Sequence, residues 1–352
     1  MNQERIVLVT GVARPWGWRV AARLLTEVSC RVIGLDAECP TAEIEGLDFV
    51  QTDIRNPLLV DLLKANSVHT VCHLAFAETR TRSESAFDLN VMGTAKLMGA
   101  CAAAGVRKVV LKSSMTVYGA RATNSAFLLE DQRLRSSRRY GYLRDRVEVE
   151  SFCSDFRRRE PNVLLTILRF PSIVGPTVST RMTRFLTEPW APSLLGFDPM
   201  MQIIHEEDVV NALVHAVLND LPGVFNVAAE GVLPLSKIRG LAGKPHLAIF
   251  HKFVYWGGML PGGISQFLDR CLPLDPDYIR YPWVGDLARM REELGFEPAY
   301  TAEETLQEFV QRSNPKRGRS GTTNAPPVEE PQPDAIVQPP AGADAGEGVS
   351  GA

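Results

Sequence analysis

The chain has 352 residues, of which 45% are hydrophobic and 22% are charged, and its formal net charge at pH 7 is -3. This is the composition of an ordinary globular protein, so a mainly disordered or collagen-like chain is excluded. The lysines and arginines are scattered along the chain, so nucleic acid is not expected as a main partner.

The cysteines and the apolar runs indicate the compartment. The six cysteines are widely spaced and form no C-x-x-C pair, which predicts neither a disulfide framework nor a structural zinc site. The chain opens directly on a strand-like run and has no apolar run of about 18 residues or more, so we expect neither a signal peptide nor a membrane span. A cytoplasmic protein without a bound metal is therefore predicted.

Short apolar runs alternate with segments of helical period along the first half of the chain. Strands are predicted at 6–10, 32–35, 49–51, 70–74, 108–113 and 164–169, and helices from about Gly17 and at 58–65, 87–104 and 142–159. This alternation is typical of βαβ units and a parallel sheet. The sequence therefore predicts an α/β fold with a doubly wound, Rossmann-type sheet over residues 1–176.

The pattern loosens after residue 176. Proline, glycine and aromatic residues are frequent there, which predicts a smaller substrate-binding lobe over most of 177–312, with further sheet elements from 203–228. Helical period returns at 286–294, ended by Gly295, and at 302–312. Residues 313–352 are mainly Pro, Gly, Ala, Ser and acidic residues, a composition that predicts a disordered tail.

The segment after the first strand has the features of a dinucleotide-binding loop. Gly11 permits a tight turn, and Gly17 permits close packing of the following helix, whose N-terminus attracts a pyrophosphate. Asp36 ends the second strand, where a carboxylate accepts hydrogen bonds from an adenosine ribose and repels a 2′-phosphate. Together these features predict a dinucleotide site that favours NAD over NADP.

Further motifs follow in order from Ile6 to about Val310. They are Thr10-Gly11 with Gly17, Asp53-Ile54, His73-Leu74-Ala75-Phe76-Ala77, Asn90-Val91-x-Gly93-Thr94, Ser113-Ser114-x-x-Val117-Tyr118-Gly119, Leu168-Arg169 through Gly175-Pro176, and Asp286 through Gly295-Phe296-x-Pro298. In this order they resemble the extended short-chain dehydrogenase/reductases, in particular the NAD-dependent epimerases and dehydratases of nucleotide sugars. The resemblance implies a small-molecule substrate, a nucleotide sugar or a related compound, and a homodimer formed by the long helices at 87–104 and 142–159.

The resemblance also implies which residues bind NAD. Arg14 stands where the family has its middle glycine, and its guanidinium either points to solvent or lies on the pyrophosphate. Asp53 and Ile54 correspond to the family's adenine contact. The implied cofactor-binding residues are Thr10, Gly11, Arg14, Trp16, Gly17, Asp36, Asp53, Ile54, Leu74, Ala75, Phe76, Asn90, Tyr140 and Arg144.

The family's chemistry is hydride transfer between a sugar carbon and nicotinamide, with a tyrosine as base. A free tyrosine, with a pKa near about 10, is a poor base at neutral pH. A neighbouring cation stabilises the phenolate, and a serine hydroxyl bridges to the substrate oxygen. The family supplies these groups as a serine followed by Tyr-x-x-x-Lys on one helix face, and Ser114 takes the serine position here.

Two registers fit the tyrosine motif, and both have arginine in place of lysine. Tyr140 with Arg144 is favoured, because Gly141 supplies the small residue that often follows the family's tyrosine. Tyr142 with Arg146 is the rival register, and an acidic residue follows each arginine by four places. Since a planar guanidinium does not reproduce an ammonium, two functions stay open: an active enzyme with Tyr140 as base, or a non-catalytic NAD-binding sensor or scaffold.

The substrate contacts of the family are also altered. Ser172 stands where the nucleotide-sugar enzymes usually have asparagine. These enzymes often also have an arginine just before the strand-to-helix segment, where this chain has Met200, Met201 and Gln202. Two diphosphate contacts are therefore expected to be weaker, and Arg181 or Arg184 is expected to restore the charge from another direction. The predicted substrate-binding residues are Ser114, Ser172, Arg181 and Arg184.

Overall fold

The computed structural model describes residues 5–27, 30–79, 82–137, 140–189, 191–245, 247–252 and 276–313. Beyond position 313, the predicted disordered tail lies outside the described residues. Residues 253–275 of the predicted lobe also lie outside them.

The strands and helices have the following bounds. The strands are β1 (Arg5–Thr10), β2 (Cys30–Asp36), β3 (Asp48–Gln51), β4 (Thr70–His73), β5 (Lys108–Ser114), β6 (Leu164–Phe170), β7 (Ser172–Val174), β8 (Pro192–Leu194), β9 (Met200–Met201), β10 (Ile203–His205), β11 (Gly223–Asn226), β12 (Leu233–Pro234) and β13 (Leu247–Ile249). The helices are α1 (Pro15–Glu27), α2 (Leu59–Ala65), α3 (Glu84–Phe87), α4 (Thr94–Ala104), α5 (Gly141–Arg159), α6 (Arg181–Thr187), α7 (Glu206–Leu218), α8 (Leu235–Leu241) and α9 (Ala302–Ser313), with 3₁₀ turns at Met115–Tyr118 and Pro276–Ile279 and π-helical turns at Asp88–Gly93 and Met290–Leu294.

A seven-stranded parallel sheet forms the centre of the fold, in the order β11-β6-β5-β4-β1-β2-β3. The six predicted strands are confirmed, each within two residues of its predicted bounds. The strand order reverses between β1 and β4, and ligands of such sheets bind at the carboxyl ends of the strands beside this point. The predicted doubly wound α/β fold is confirmed.

Both faces of the sheet are buried, because the side chains of each strand alternate between two hydrophobic cores. Val7 and Val9 of β1 join the core that also contains α1 and α7 residues. Leu8, between them, joins the second core, which contains residues of α2, α4 and α5. Two helical layers therefore fix the positions of the loops at the carboxyl edge of the sheet.

The region after residue 176 contributes to the large sheet and to smaller strand pairs. β11 pairs parallel with the outer strand β6, and α7 lies beside α1, where Arg23 pairs with Glu207 at 2.8 Å. The other pairs are β10 with β7, β12 with β9 and β13 with β8. The boundary of a substrate lobe and the implied homodimer stay predictions.

Two helical segments differ from their predicted bounds. The segment predicted at 87–104 begins three residues earlier, because the Ser83 side chain accepts the backbone N–H of Ala86 and caps the helix. The segment predicted at 286–294 is helical only from residue 288 and ends at Gly295, which has a φ of +63°. Within the described ranges, no helix is both long and apolar enough to cross a membrane.

Candidate active site

The loop between β1 and α1 is packed so closely that two of its positions require glycine. Gly11 has a φ of +79°, and a Cβ atom there would lie 2.8 Å from the backbone nitrogen of Ala75. A Cβ atom at Gly17 would lie 2.1 Å from the carbonyl oxygen of Gly11. The loop thereby brings the N-terminus of α1, whose first N–H groups have no partner within the helix, to the carboxyl edge of the sheet.

Asp36 lies beside this loop at the end of β2 and is almost fully buried. Its carboxylate accepts the backbone N–H of Ala13 at 3.0 Å and that of Glu38 at 3.2 Å. A glycine loop that leaves no room for side chains, a helix N-terminus and a fixed carboxylate fit the pyrophosphate and the adenosine ribose of NAD.

His73, at the end of β4, connects three segments around the loop. Its Nδ1 lies 2.8 Å from the Thr10 hydroxyl, and its Nε2 lies 2.9 Å from the Thr94 hydroxyl. The Thr94 hydroxyl donates to the carbonyl of Asn90, so it accepts from Nε2–H, and Nδ1 accepts from Thr10. This neutral form uses both ring nitrogens, and burial lowers the pKa of His73 to about 3.

The loop after β4 is held against the phosphate loop. The Thr10 hydroxyl accepts the N–H groups of Leu74 at 3.1 Å and Ala75 at 3.3 Å, and the Phe76 ring packs on His73 with centroids 4.7 Å apart. The Asn90 side chain binds the backbone N–H and C=O of Ala77, both at 2.8 Å. In this structure Asn90, expected to bind the cofactor, shapes the loop that borders the crevice.

Asp53 and Ile54, predicted to contact adenine, follow β3 and have partners within the protein. Hydrogen bonds from Arg55 hold the Asp53 carboxylate and lower its pKa. The Ile54 side chain is buried against Gly93, where a Cβ atom would lie 2.7 Å from its Cδ1. The side chain of Ile54 therefore belongs to the core, and the Asp53 carboxylate is engaged by Arg55.

A pocket opens at the carboxyl ends of β5 and β6, next to the phosphate loop. Its lining residues are Trp16, Glu78, Lys112, Ser113, Ser114, Thr116, Tyr142, Arg146, Phe170, Pro171, Ser172, Ile173, Thr180, Arg181, Met182 and Trp283. The pocket thus brings together three of the predicted substrate-binding residues, Ser114, Ser172 and Arg181.

The pocket separates the two tyrosine registers. Tyr142 and Arg146 line it, whereas Tyr140 and Arg144 do not. Arg144 and Arg146 lie about 200° apart around α5, whereas Tyr140 is the extended N-cap residue of the helix, and its ring centroid lies 6.2 Å from that of Tyr142. The Arg144 guanidinium lies over the Phe87 ring, 4.5 Å from its centroid. The structure therefore brings the rival register, rather than the favoured one, together with Ser114.

Glu150, the acidic residue four places after Arg146, has a buried partner. The Glu150 carboxylate accepts the Ser113 hydroxyl at 2.5 Å and bonds from Arg169 Nε and Nη2 at 3.0 and 2.5 Å. Glu150 and Arg169 are both almost fully buried. This contact ties α5 to β5 and β6 and turns the face that carries Tyr142 and Arg146 toward the sheet edge.

Three cations and one carboxylate meet in the pocket. Arg146 forms an ion pair with Glu78, and the Arg181 guanidinium carbon lies 3.7 Å from the centroid of the Tyr142 ring. Desolvation raises the pKa of Glu78, but the charges of Arg146, Arg181 and Lys112 outweigh it and lower that pKa to about 2. Among the described residues that line the pocket, cationic side chains therefore outnumber carboxylates.

The other residues predicted to contact the substrate do not all lie in the pocket. Ser172 is half-buried in the pocket, whereas Arg184 is exposed on α6 and does not line it. The Gln202 side chain is buried and exchanges two hydrogen bonds with the backbone of Gly285, at 2.8 and 3.0 Å. Its amide is therefore engaged within the protein.

Sequence reasoning missed Glu78 and Lys112. A signal was available for Lys112, which stands two places before Ser114 on a strand, where alternate side chains share one face. Glu78 lies in a loop far from Arg146 in sequence, and no local pattern connects the two.

Comparison with known sequences supports the assignment of NAD as the cofactor. Residues 7–228 match the sequence model of the NAD dependent epimerase/dehydratase family. An uncharacterized protein of Mycobacterium tuberculosis, Rv0501, is 33% identical over 317 residues, which cover 87% of this chain and 83% of that protein. UDP-glucose 4-epimerase 1 of Oryza sativa subsp. japonica is 30% identical over 191 residues, 49% of this chain and 52% of that enzyme.

Solved structures of the same fold cover nearly the same length. MoeE5 in complex with UDP-glucose and NAD matches with a TM-score of 0.67 at 21% identity, over 88% of this chain and 99% of that chain. The UDP-glucose 4-epimerase of Thermotoga maritima matches with a TM-score of 0.67 at 19% identity, over 87% and 98% of the two chains. Since the family match spans more than half of the chain and the loop at Gly11 fits the family's cofactor, the chain belongs to the NAD dependent epimerase/dehydratase family.

Proposed function

We propose that the protein is an NAD-dependent oxidoreductase of the epimerase/dehydratase type that acts on a nucleotide sugar, with Tyr142 as its base. The observation that carries this proposal is the position of Ser114 and Tyr142 in one pocket beside the phosphate loop. A serine hydroxyl and a tyrosine next to fixed cations are the groups that deprotonation of a sugar hydroxyl requires.

The loop from Gly11 to Gly17 would hold the pyrophosphate of NAD, and Asp36 would hold its adenosine ribose. The chemistry that NAD would supply when bound is hydride exchange with the substrate carbon. Arg14 is half-buried in this loop, and we assign its guanidinium to the pyrophosphate, to which it would add a charge-assisted contact that a glycine cannot make.

Tyr142 removes the proton of the substrate hydroxyl. Arg146 lies one helical turn away, and Arg181 stacks on the tyrosine ring. Positive charge close to a phenol favours its ionised form, which allows Tyr142 to act as a base near neutral pH. This proposal uses the Tyr142/Arg146 register instead of the Tyr140/Arg144 register, which the sequence had favoured because of the small residue after Tyr140.

Ser114 orients the substrate oxygen. Its Oγ accepts the backbone N–H of Thr116 at 3.2 Å and the Thr116 hydroxyl at 3.0 Å. With both acceptor positions engaged, the serine proton is directed to another acceptor. The oxygen of a substrate in the pocket is that acceptor, so Ser114 donates to the atom from which Tyr142 takes the proton.

The charge of the pocket supports a nucleotide sugar. Among the described residues that line the pocket, Lys112, Arg146 and Arg181 outnumber the carboxylate of Glu78, and a diphosphate-linked sugar would bring negative charge to them. The names of the relatives point the same way, since they include a UDP-glucose 4-epimerase and a protein in complex with UDP-glucose.

A second candidate function, a non-catalytic NAD-binding protein, is favoured by one observation. Arg146 replaces the family's lysine, and Glu78 engages it in an ion pair.

Incubation with NAD and UDP-glucose, UDP-galactose or UDP-glucuronate, followed by NADH absorbance and NMR of the sugar, separates the two candidates. We expect conversion of a nucleotide sugar and a loss of about tenfold or more in Ser114→Ala. NAD binding without any conversion would support the sensor instead.

A further inference from the structure

The loop after β4 is bound to the first two turns of α5 at two neighbouring positions. The carbonyl of Thr79 accepts the backbone N–H of Tyr142 at 3.1 Å. This N–H lies in the first turn of α5, where it has no acceptor within the helix, so the loop supplies one. The Glu78 carboxylate pairs with Arg146, one turn later. The loop therefore contacts the helix at both residues of the proposed tyrosine motif.

A third link joins the preceding loop residue to α5 through one side-chain amide. Asn90 accepts the N–H of Ala77 and donates to its C=O, both at 2.8 Å. The same amide nitrogen also donates to Asp145 Oδ2 at 3.0 Å. An asparagine amide has two donor hydrogens, so both are used, and the loop and the carboxylate together fix the orientation of Asn90.

Asp145 is buried to an extent that is unusual for a carboxylate. It is 1% exposed, and aspartate is seldom fully buried unless it is paired. The Arg144 guanidinium pairs with its Oδ1, from Nε at 2.9 Å and Nη2 at 2.8 Å. Oδ1 thus binds Arg144 and Oδ2 binds Asn90, so the carboxylate joins the arginine of α5 to the amide that holds the loop.

We propose that Asp145 is a positioning residue for the reaction: through Asn90 it holds loop residues 77–79, and these hold Tyr142 and Arg146 at the pocket. This inference rests on the proposed function, in which Tyr142 is the base. Proton transfer requires the two heavy atoms to lie within hydrogen-bond reach, and a misplacement of about 1 Å can cost about 100-fold in rate. Three consecutive contacts between the loop and α5 restrict such a displacement.

The other end of the loop is fixed on the cofactor side of the crevice. There the Thr10 hydroxyl accepts the N–H groups of Leu74 and Ala75. The loop is therefore attached at both ends, to the phosphate loop and to α5. Loss of Asp145 releases only the α5 end, so it should affect the chemical step more than the binding of NAD.

Removal of the carboxylate tests the proposal by steady-state kinetics. Asp145→Ala breaks the link to Asn90, and we expect kcat for conversion of a nucleotide sugar to fall by about tenfold or more, while KM and the affinity for NAD stay within about threefold. Asp145→Asn keeps an oxygen that accepts from Asn90, so it should restore most of the rate. Asp155→Ala, at an exposed ion pair with Arg158 on the same helix, is the matched control and keeps the wild-type rate. An unchanged kcat in Asp145→Ala, or an equal loss in Asp145→Asn, would overturn the proposal.

A double-variant cycle separates positioning from a general loss of stability. Asn90→Ala cuts the same link from the other side and leaves Asp145 paired with Arg144. Because the two residues act through one contact, we expect the double variant Asn90→Ala/Asp145→Ala to be no slower than the slower single variant. Losses that multiply would show two independent effects and would contradict the proposal.

Hydrogen exchange measured by mass spectrometry tests the same link without turnover. Peptides that cover 77–79 and 142–146 should exchange about tenfold faster or more in Asp145→Ala than in the wild type, whereas those that cover 151–159 should not change. Asn90→Ala should give the same pattern, and it provides the test if circular dichroism shows that Asp145→Ala does not fold. Unchanged exchange at the start of α5 in a folded variant would overturn the proposal. Absence of turnover in every protein, together with the expected exchange, would overturn only the proposed function.

Discussion

Asp36 is the residue that we expect to select NAD over NADP. Its carboxylate is fixed by two backbone N–H groups at the end of β2, a position from which it would accept hydrogen bonds from the ribose of NAD and repel the 2′-phosphate of NADP. We expect tighter binding of NAD than of NADP in calorimetric titrations. Asp36→Asn keeps an acceptor for the N–H of Ala13 and removes the charge. The ratio of the dissociation constants of NADP and NAD should therefore fall by about tenfold or more. Equal or tighter binding of NADP to the wild type is the contrary result.

His73 makes the stability of the protein depend on pH. Burial lowers its pKa to about 3 from 6.5, so between these values the unfolded chain binds the proton that the folded chain excludes. The free energy of unfolding therefore falls as the pH falls through this window, by up to about 1.4 kcal/mol per pH unit from this group.

His73→Gln removes the titrating group and keeps an amide donor toward Thr94. In urea unfolding at pH 7, 6 and 5, the free energy of unfolding of the wild type should fall relative to that of the variant as the pH falls. A difference in unfolding free energy that stays constant across this range would mean that another group causes the dependence.

Helix α5 is oriented by the face that it packs on the sheet, and Glu150 marks that face. Glu150→Gln removes the charge partner of the buried Arg169, which we expect to lower the free energy of unfolding by about 3 kcal/mol. Glu148→Gln changes the corresponding residue of the other register, which is half-buried, and should cost less than about 1 kcal/mol. Urea unfolding of both variants checks the orientation, and equal losses would argue against it.

The two tyrosine registers at the start of α5 differ in whether they meet the pocket. The sequence favoured Tyr140 because Gly141, the first residue of the helix, follows it, whereas Tyr142 lines the pocket. The face that meets the pocket is decided by the contact of Glu150 with Arg169, which joins the helix to a strand that follows it in sequence. Such a contact leaves no periodic trace near the tyrosine.

Over the whole molecule, the sheet was the most predictable part. Buried parallel strands are continuous apolar runs between turns, so six of the seven strands could be located from local patterns, whereas β11 was expected only within 203–228. The loop between β1 and α1 was equally predictable, because the positive φ of Gly11 and the contact of Gly17 with Gly11 are local, although Gly11 also packs on the distant backbone of Ala75. The pocket was less predictable, since it joins α1 and the loop after β4 to β5, α5 and α6. The Glu78–Arg146 pair, separated by 68 positions, is the clearest example.

The choice between the two tyrosines is the central claim, and paired variants test it directly. The measurement is the rate of conversion of a nucleotide sugar with NAD by Tyr142→Phe and by Tyr140→Phe, each first shown to bind NAD as the wild type does. We predict a loss of about 100-fold or more for Tyr142→Phe and a rate within about threefold of the wild type for Tyr140→Phe, whose side chain does not line the pocket. Loss of conversion in Tyr140→Phe with activity retained in Tyr142→Phe would contradict the account.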